Sequence, residues 1–178
     1  MRAFPNIEII TPCDEISTRV VALKCITEPK FRFVRLDREA LPAIYKKDEF
    51  NLNQGFSKII SGGKKCVVTC GKLLHLAKDV IEKNKLNNFT LIDLFKIKPI
   101  PERFINSLSD FSEIITLEEQ CLDGGFGSAI LEALNEKSIF IKLKRYGLNS
   151  RFYFENGGRD YLMKNNGLDI KKILHSHK

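Results

Sequence analysis

The sequence lacks the hydrophobic and cysteine patterns that mark membrane and secreted proteins. No apolar run approaches the roughly 20 residues that a transmembrane helix needs, and the N-terminus, MRAFPN, lacks the apolar core of a signal peptide. The five cysteines are odd in number and lie within apolar segments, which predicts buried, reduced thiols and no disulfide or zinc framework. We therefore expect a cytoplasmic protein with no membrane partner.

The sequence also lacks a concentrated basic segment, although 29 lysines and arginines against 22 aspartates and glutamates give a formal net charge of +7. The basic residues are spread along the chain among acidic ones, and no nucleic-acid-reading motif accompanies them. This distribution favours a solvated basic surface over a nucleic-acid interface. With 178 residues, 43% of them hydrophobic, the chain can form one domain, or one domain and part of another.

Short strands and helices alternate along the chain, an order typical of an α/β fold. We predict strands at residues 7–10, 31–36, 57–60, 66–69, 89–95, 113–117 and 138–143, and helices at 12–28, 71–81, 102–108, 126–134, 157–166 and 170–174. Thr11, followed by proline, is the predicted N-cap of the first helix. The pair Gly62–Gly63 predicts a hairpin between the third and fourth strands.

A polar segment, residues 43–56, divides the chain and is interpreted as a linker. After it, residues 57–178 form a layered α/β domain. Before it, residues 1–42 form one β-α-β unit, and two strands with one helix cannot bury a sheet on both faces. We therefore expect residues 1–42 to be the end of a domain that begins outside this sequence.

Few groups suggest catalysis, and the sequence predicts no catalytic residue, cofactor-binding residue or metal ligand on this chain. Residues 124–128, GGFGS, lie between a strand and a helix, but Ile130 takes the third glycine position of a dinucleotide-binding fingerprint. A tight glycine turn into a helix is the favoured explanation, and its amides could bind a carboxylate or phosphate. Glu118 and Glu119 face opposite sides of a strand, so we expect a structural role, with one carboxylate binding helix-terminal amides.

Two arginines mark a candidate anion site. Arg35 and Arg38 stand at and just beyond the carboxyl end of a predicted strand, the edge where open α/β sheets bind ligands. Arginine can hold a phosphate through two parallel hydrogen bonds. The alternative is an ion pair between these arginines and the neighbouring Asp37 or Glu39.

Taken in order, several short segments resemble the C-terminal part of the transketolase family of thiamine-diphosphate enzymes, which includes 1-deoxyxylulose-5-phosphate synthase and the β subunits of 2-oxoacid dehydrogenases. Three segments resemble the end of that family's pyrimidine-binding domain: FPNI at 4–7, TPCDE at 11–15 and RLDREALP at 35–42. Further segments resemble the family's C-terminal domain: Asp93 with KP at 98–99, TLEE at 116–119, GGFGS at 124–128, GL at 147–148, Phe154, Gly157 and GLD at 167–169.

The resemblance implies a three-layer α/β/α C-terminal domain with a mixed five-stranded sheet, preceded by the last β-α-β unit of a truncated pyrimidine-binding domain. It implies that Arg38 holds the phosphate of a sugar-phosphate substrate and that the chain assembles into a homo-oligomer, as a dimer. The complete enzyme would transfer a two-carbon ketol unit between sugar phosphates with thiamine diphosphate and Mg²⁺.

The chain lacks the family's cofactor motifs. The family's motif is a Gly-Asp-Gly run followed some distance later by Asn-Asn. In this chain the nearest match to the first run is DGG at 123–125, and the NN at 87–88 comes before it. The family's activating glutamate belongs to the missing part of the preceding domain. We therefore expect an inactive isolated chain whose partner is an N-terminal thiamine-diphosphate-binding portion or subunit. The alternatives are the same portion of 1-deoxyxylulose-5-phosphate synthase or of a 2-oxoacid dehydrogenase β subunit, and a non-catalytic interaction or regulatory module.

Overall fold

The computed structural model describes residues 1–178 as eight strands and six α-helices. The strands are β1 (Glu8–Ile10), β2 (Arg32–Val34), β3 (Ser57–Ile60), β4 (Lys65–Thr69), β5 (Phe89–Asp93), β6 (Lys96–Lys98), β7 (Glu113–Cys121) and β8 (Lys142–Leu148). The helices are α1 (Glu15–Thr27), α2 (Lys72–Lys83), α3 (Glu102–Ser107), α4 (Phe126–Glu136), α5 (Gly158–Asn165) and α6 (Ile170–Ser176). None of these helices has both the length and the apolar character that crossing a bilayer requires.

The larger sheet has the strand order β3-β5-β4-β7-β8, in which β3 is antiparallel and the other four strands are parallel. The mixed five-stranded sheet implied by the family resemblance is therefore confirmed. Alternation along the strands directs Val67 and Ile115 to the core formed with α2 and α6, and Cys66 and Ile114 to the core formed with α3 and α4. Because helices cover both faces, the central strands are nearly continuous in apolar residues.

The predicted hairpin between residues 57–60 and 66–69 is wrong. β5 lies between β3 and β4, antiparallel to the first and parallel to the second. A Cβ on Gly62 would lie 1.9 Å from the carbonyl oxygen of Phe89. The glycine pair therefore allows the backbone at the start of β5 to approach closely, and it does not form a two-residue hairpin turn.

A second, three-stranded sheet has the order β2-β1-β6 and joins the N-terminal β-α-β unit to the rest of the chain. β1 is parallel to β2 and antiparallel to β6, a strand that the sequence analysis did not predict. The N-cap of α1 is Asp14 and not Thr11, because the helix begins at Glu15; Thr11 instead extends the pairing of β1, with its N–H donating to the Phe95 carbonyl at 2.8 Å. Asp14 and Ser17 form a capping box, with the Ser17 N–H donating to the Asp14 carboxylate at 2.8 Å.

The segment 43–56, interpreted as a linker, contains no helix or strand but is partly buried. Tyr45, Phe50 and Leu52 lie in the same apolar core as the inner faces of α1 and α2. The Tyr45 N–H donates to the Asp14 carboxylate at 2.9 Å. This segment therefore packs the N-terminal unit against the larger sheet.

Two helices end with the same kind of hydrogen bond. The Leu168 N–H donates to the Met163 carbonyl at 2.9 Å past Gly167, so the predicted Schellman-type end of α5 is confirmed. α4 ends similarly, with a positive φ of 54° at Ser138 and the Ile139 N–H donating to the carbonyl five residues before it. Because residues 138–139 complete this helix end, β8 is 142–148, and the strand predicted at 138–143 begins four residues and ends five residues too early.

Candidate functional site

A cleft of about 270 Å³ lies where the carboxyl ends of four strands from both sheets meet. Thr11 follows β1, Arg35 follows β2, Cys70 follows β4, and Glu118 lies near the end of β7. α2 and α4 begin beside the cleft and pack on opposite faces of the larger sheet. The cleft is therefore at the topological switch point of that sheet, the position where open α/β sheets bind ligands.

Both candidate arginines line this cleft. Arg35 is half-buried, and its N–H donates to the Ile10 carbonyl at 2.9 Å, one residue beyond β2. Arg38 is exposed, and its guanidinium makes no ion pair and no hydrogen bond within the chain. Its donors are therefore free for an external anion.

The alternative ion pair, between these arginines and Asp37 or Glu39, does not form. Asp37 accepts two hydrogen bonds from Arg159 of α5, at 2.8 and 2.9 Å, and this guanidinium lowers the pKa of Asp37 to about 2. Glu39 accepts from Nζ of Lys72 at 2.9 and 3.0 Å. Both acids beside Arg38 are thus paired with cations from other elements, which leaves Arg38 unpaired.

Glu118 and Glu119 have different partners. Glu118 is buried, and both of its carboxylate oxygens lie 3.1 Å from the Gly127 N–H in the first turn of α4. Burial raises the pKa of Glu118, while the helix amides favour the carboxylate and oppose that rise. Glu119 accepts two hydrogen bonds from Arg159, at 2.5 and 2.6 Å. The prediction that one carboxylate binds helix-terminal amides is confirmed.

The glycine turn at residues 124–128 is built around the Glu118 carboxylate. A Cβ on Gly125 would lie 2.4 Å from Oε2 of Glu118, and a Cβ on Gly127 would lie 2.6 Å from Oε1. The glycines therefore allow the start of α4 to close over this side chain. Glu118 occupies amides that a dinucleotide phosphate would need, so the geometry gives no support to dinucleotide binding.

The carboxylates around the cleft do not fit the Mg²⁺ of thiamine diphosphate, which prefers several oxygen ligands. Asp37 and Glu119 are held by Arg159, and Glu118 is held by α4. No group of three His, Cys, Asp or Glu side chains is placed to hold a metal ion anywhere in residues 1–178.

Two basic residues that the sequence did not predict, Arg159 and Lys72, hold the two acids beside Arg38. Each is a basic residue in the first turn of a helix, where the helix dipole disfavours positive charge. That mismatch was the local signal available in the sequence. Their partners lie 122 and 33 residues away along the chain, at distances that sequence patterns do not link.

Residues 55–173 match the family model described as "Transketolase, C-terminal domain". Over 177 residues the chain is 33% identical to 1-deoxy-D-xylulose-5-phosphate synthase of Francisella tularensis subsp. novicida, and the match covers 97% of this chain and 28% of that protein. It is 29% identical over 177 residues to a subunit of the apulose-4-phosphate transketolase of Actinobacillus succinogenes, with 98% of this chain and 57% of that protein covered.

Among solved structures, the chain is similar to one described as "Split gene transketolase, inactive beta4 tetramer", with a TM-score of 0.86 and 22% sequence identity. The match covers 99% of this chain and 59% of the other, so it includes both sheets. At this identity the similarity bears on the fold alone. The chain spans 28% to 59% of the length of these three proteins.

Proposed function

Because the chain belongs to the transketolase C-terminal domain family, we propose that it is the C-terminal portion of a thiamine-diphosphate-dependent transketolase that moves a two-carbon ketol unit between sugar phosphates. Two of its relatives are parts of divided transketolases, since one is described as a subunit and the other as a split gene product. In this proposal the chain is likewise a C-terminal portion that works with an N-terminal partner and is inactive alone.

The surface of the N-terminal unit supports such a partner. β2 pairs only with β1, so one edge of the three-stranded sheet is open. Three large apolar side chains are exposed on or just after α1: Leu23, Ile26 and Phe31. An open strand edge beside an apolar helix face is a surface on which the remainder of a pyrimidine-binding domain would pack. The partner would also hold thiamine diphosphate and Mg²⁺, since the residues of this chain do not fit them.

The observation that carries the proposal is the unpaired Arg38 on the wall of the strand-end cleft. Four basic and three acidic residues line that cleft, and all three acids are already engaged within the chain. The free charge facing a ligand is therefore positive. In the complete enzyme Arg38 would bind the substrate phosphate and orient the sugar, while the chemistry of two-carbon transfer would take place on the partner.

The test is Arg38→Ala in the complex of this chain with its cofactor-binding partner. Loss of a charge-assisted hydrogen-bond pair, about 1.5–3 kcal/mol, should raise KM for the sugar phosphate about tenfold or more. Arg151→Ala is the control, because Arg151 is an exposed arginine of the tail that bonds Glu155 and Asn166. An unchanged KM in Arg38→Ala would remove the assignment.

A second candidate is the same portion of a 1-deoxyxylulose-5-phosphate synthase, favoured by the 33% identity to that enzyme. Assaying the same complex for ketol transfer and for 1-deoxyxylulose 5-phosphate formation separates the two activities. Calorimetric titration with thiamine diphosphate and Mg²⁺, with and without the partner, separates both from a non-catalytic module. Binding by the chain alone would contradict the proposed division of the site, and no binding even with the partner would favour the module.

A further inference from the structure

The segment that carries Arg38, residues 36–43, has no backbone–backbone hydrogen bond. Before it, the Arg35 N–H makes the last bond to β1. After it, the first backbone anchor is the Ile44 N–H, which donates to the Asp14 carboxylate at 2.8 Å. Because neither a helix nor a strand spans this interval, the orientation of Arg38 depends on side-chain contacts made by its neighbours.

Arg159 makes the strongest of these contacts. Its Nη1 and Nη2 donate to Asp37 at 2.8 and 2.9 Å, while Nε and Nη2 donate to Glu119 at 2.5 and 2.6 Å. A planar guanidinium that grips two carboxylates in this way fixes their relative positions. Asp37 in turn accepts the Glu39 N–H at 3.2 Å, which closes a turn around Arg38. Arg159 thus holds that turn against the end of β7.

The burial of this cluster distinguishes it from an ordinary surface ion pair. The side chains of Arg159, Asp37 and Glu119 are 28%, 12% and 16% exposed. On the other side of Arg38, Lys72 holds Glu39 and is itself only 11% exposed. Exposed pairs contribute little to fixing a geometry, whereas partly buried, bidentate pairs hold theirs.

We propose that Arg159 is a positioning residue, which holds Arg38 in the cleft for the substrate phosphate and thereby makes the tail helix α5 part of substrate binding. This inference rests on the proposed function. Arg159 is not itself the phosphate ligand, because two bidentate carboxylates already engage its guanidinium. Its contribution to binding passes through Asp37 and the turn that follows.

The first experiment measures kinetics of Arg159→Gln in the complex of this chain with its cofactor-binding partner. KM for the phosphorylated sugar should rise about five- to tenfold, while kcat and the KM for a ketose without a phosphate stay unchanged. Arg159→Lys should restore part of the effect, because lysine can pair with one carboxylate but not grip two. Arg151→Gln, in the same tail, should match the wild type. Equal losses with phosphorylated and unphosphorylated sugars would indicate a merely structural role and overturn the proposal.

The second experiment is a double-mutant cycle with Arg38→Ala. If Arg159 acts through Arg38, adding Arg159→Gln to Arg38→Ala should raise KM no further. A double variant whose fold-increase in KM equals the product of the two single increases would overturn the proposal. The cycle also separates the two hypotheses. An unchanged KM in Arg38→Ala contradicts the proposed function, while a raised KM in Arg38→Ala with none in Arg159→Gln contradicts the positioning role alone.

A third measurement does not depend on activity. Hydrogen exchange of the Glu39 amide in the complex should become severalfold faster in Arg159→Gln, and should remain unchanged in Arg151→Gln. The Glu39 N–H donates to the Asp37 carboxylate that Arg159 holds, at 3.2 Å, whereas no backbone–backbone hydrogen bond protects residues 36–43. Unchanged exchange in Arg159→Gln would overturn the proposal whatever the kinetics show.

Discussion

The wild-type fold should lose stability as the pH rises from about 4 to 7, and replacing Asp93 with asparagine should remove this pH dependence. Asp93 ends β5 and is fully buried. Its Oδ2 accepts a hydrogen bond from the Tyr45 hydroxyl at 2.7 Å, while its Oδ1 has no hydrogen-bond partner. Burial raises the pKa of Asp93 to about 7, and the nearby charge of Asp14 adds to the rise.

The sign of the effect follows from which state binds the proton more tightly. Between the ordinary pKa of 3.8 and the folded value of about 7, the folded chain keeps a proton that the unfolded chain releases. Stability from this group is therefore complete below about pH 4 and is lost as the pH rises to about 7. At about 1.4 kcal/mol for each pKa unit, the full difference is about 4 kcal/mol, and about 3 kcal/mol of it falls between pH 4.5 and 8.

Urea unfolding of the wild type and Asp93→Asn at pH 4.5, 6 and 8 measures this difference. Asparagine has the same shape, can accept the Tyr45 bond and does not titrate, so any cost of its unpaired amide is the same at every pH. The free energy of unfolding of the wild type minus that of Asp93→Asn should therefore fall by about 3 kcal/mol from pH 4.5 to pH 8. Asp79→Asn is the control, because Asp79 is exposed on α2 and pairs only with Lys83.

Parallel pH profiles for the wild type and Asp93→Asn would refute the argument from burial. A carbon-13 NMR titration of the carboxyl carbon of Asp93 gives an independent result. Its midpoint should lie near 7, and a midpoint near 4 would show that the carboxylate is solvated in the folded chain.

Two other contacts can be tested by urea unfolding. Gly127→Ala should lower stability by about 2–3 kcal/mol, because its Cβ would lie 2.6 Å from Oε1 of Glu118 and push this buried carboxylate off the α4 amides. His177→Ala should cost about 2 kcal/mol, because a buried imidazole that bonds Glu113 at 3.1 Å and Tyr146 at 2.8 Å is lost from the end of the chain.

Each of these variants has a matched control. Gly124 has a positive φ but no atom within 4 Å of its Cβ position, so Gly124→Ala should cost only about 1 kcal/mol of backbone strain. His175 is exposed and bonds only the Lys171 carbonyl, so His175→Ala should change stability by less than about 0.5 kcal/mol. If Gly124→Ala lost as much stability as Gly127→Ala, or His175→Ala as much as His177→Ala, the contact assigned to Gly127 or to His177 would not be the cause of the lost stability.

Local patterns were enough to predict the alternation of strands and helices and the end of α5 at Gly167. These features depend on residues within one or two turns of each other, such as Gly167 and the apolar Leu168 that follows it. The association of Glu118 with helix amides was predictable for the same reason, because the glycine turn begins only six residues after it. The ordered landmarks that resemble the transketolase family extended the prediction to the five-stranded sheet.

Predictions failed where a distant element competes for the same backbone. The glycine pair Gly62–Gly63 has the local chemistry of a hairpin, but β5, almost 30 residues later, occupies the place beside both strands. Thr11 and proline have the local chemistry of a helix start, but the extended pairing of β1 continues through Thr11 to Phe95, and the helix begins at Glu15. Cys121 was expected to be buried and is exposed, because it is the last residue of β7, where burial decreases from Glu119 onward.

The sequence by itself determined the fold class, the family and the presence of Arg38 at a strand end, because these depend on local propensity and on ordered short motifs. Only the tertiary structure decided that Arg38 is unpaired, since its acidic neighbours could equally have bound it. That outcome depends on Arg159, which lies 122 residues after Asp37. A guanidinium selects its carboxylates by distance and geometry in space, and the folding of the chain alone brings those groups together.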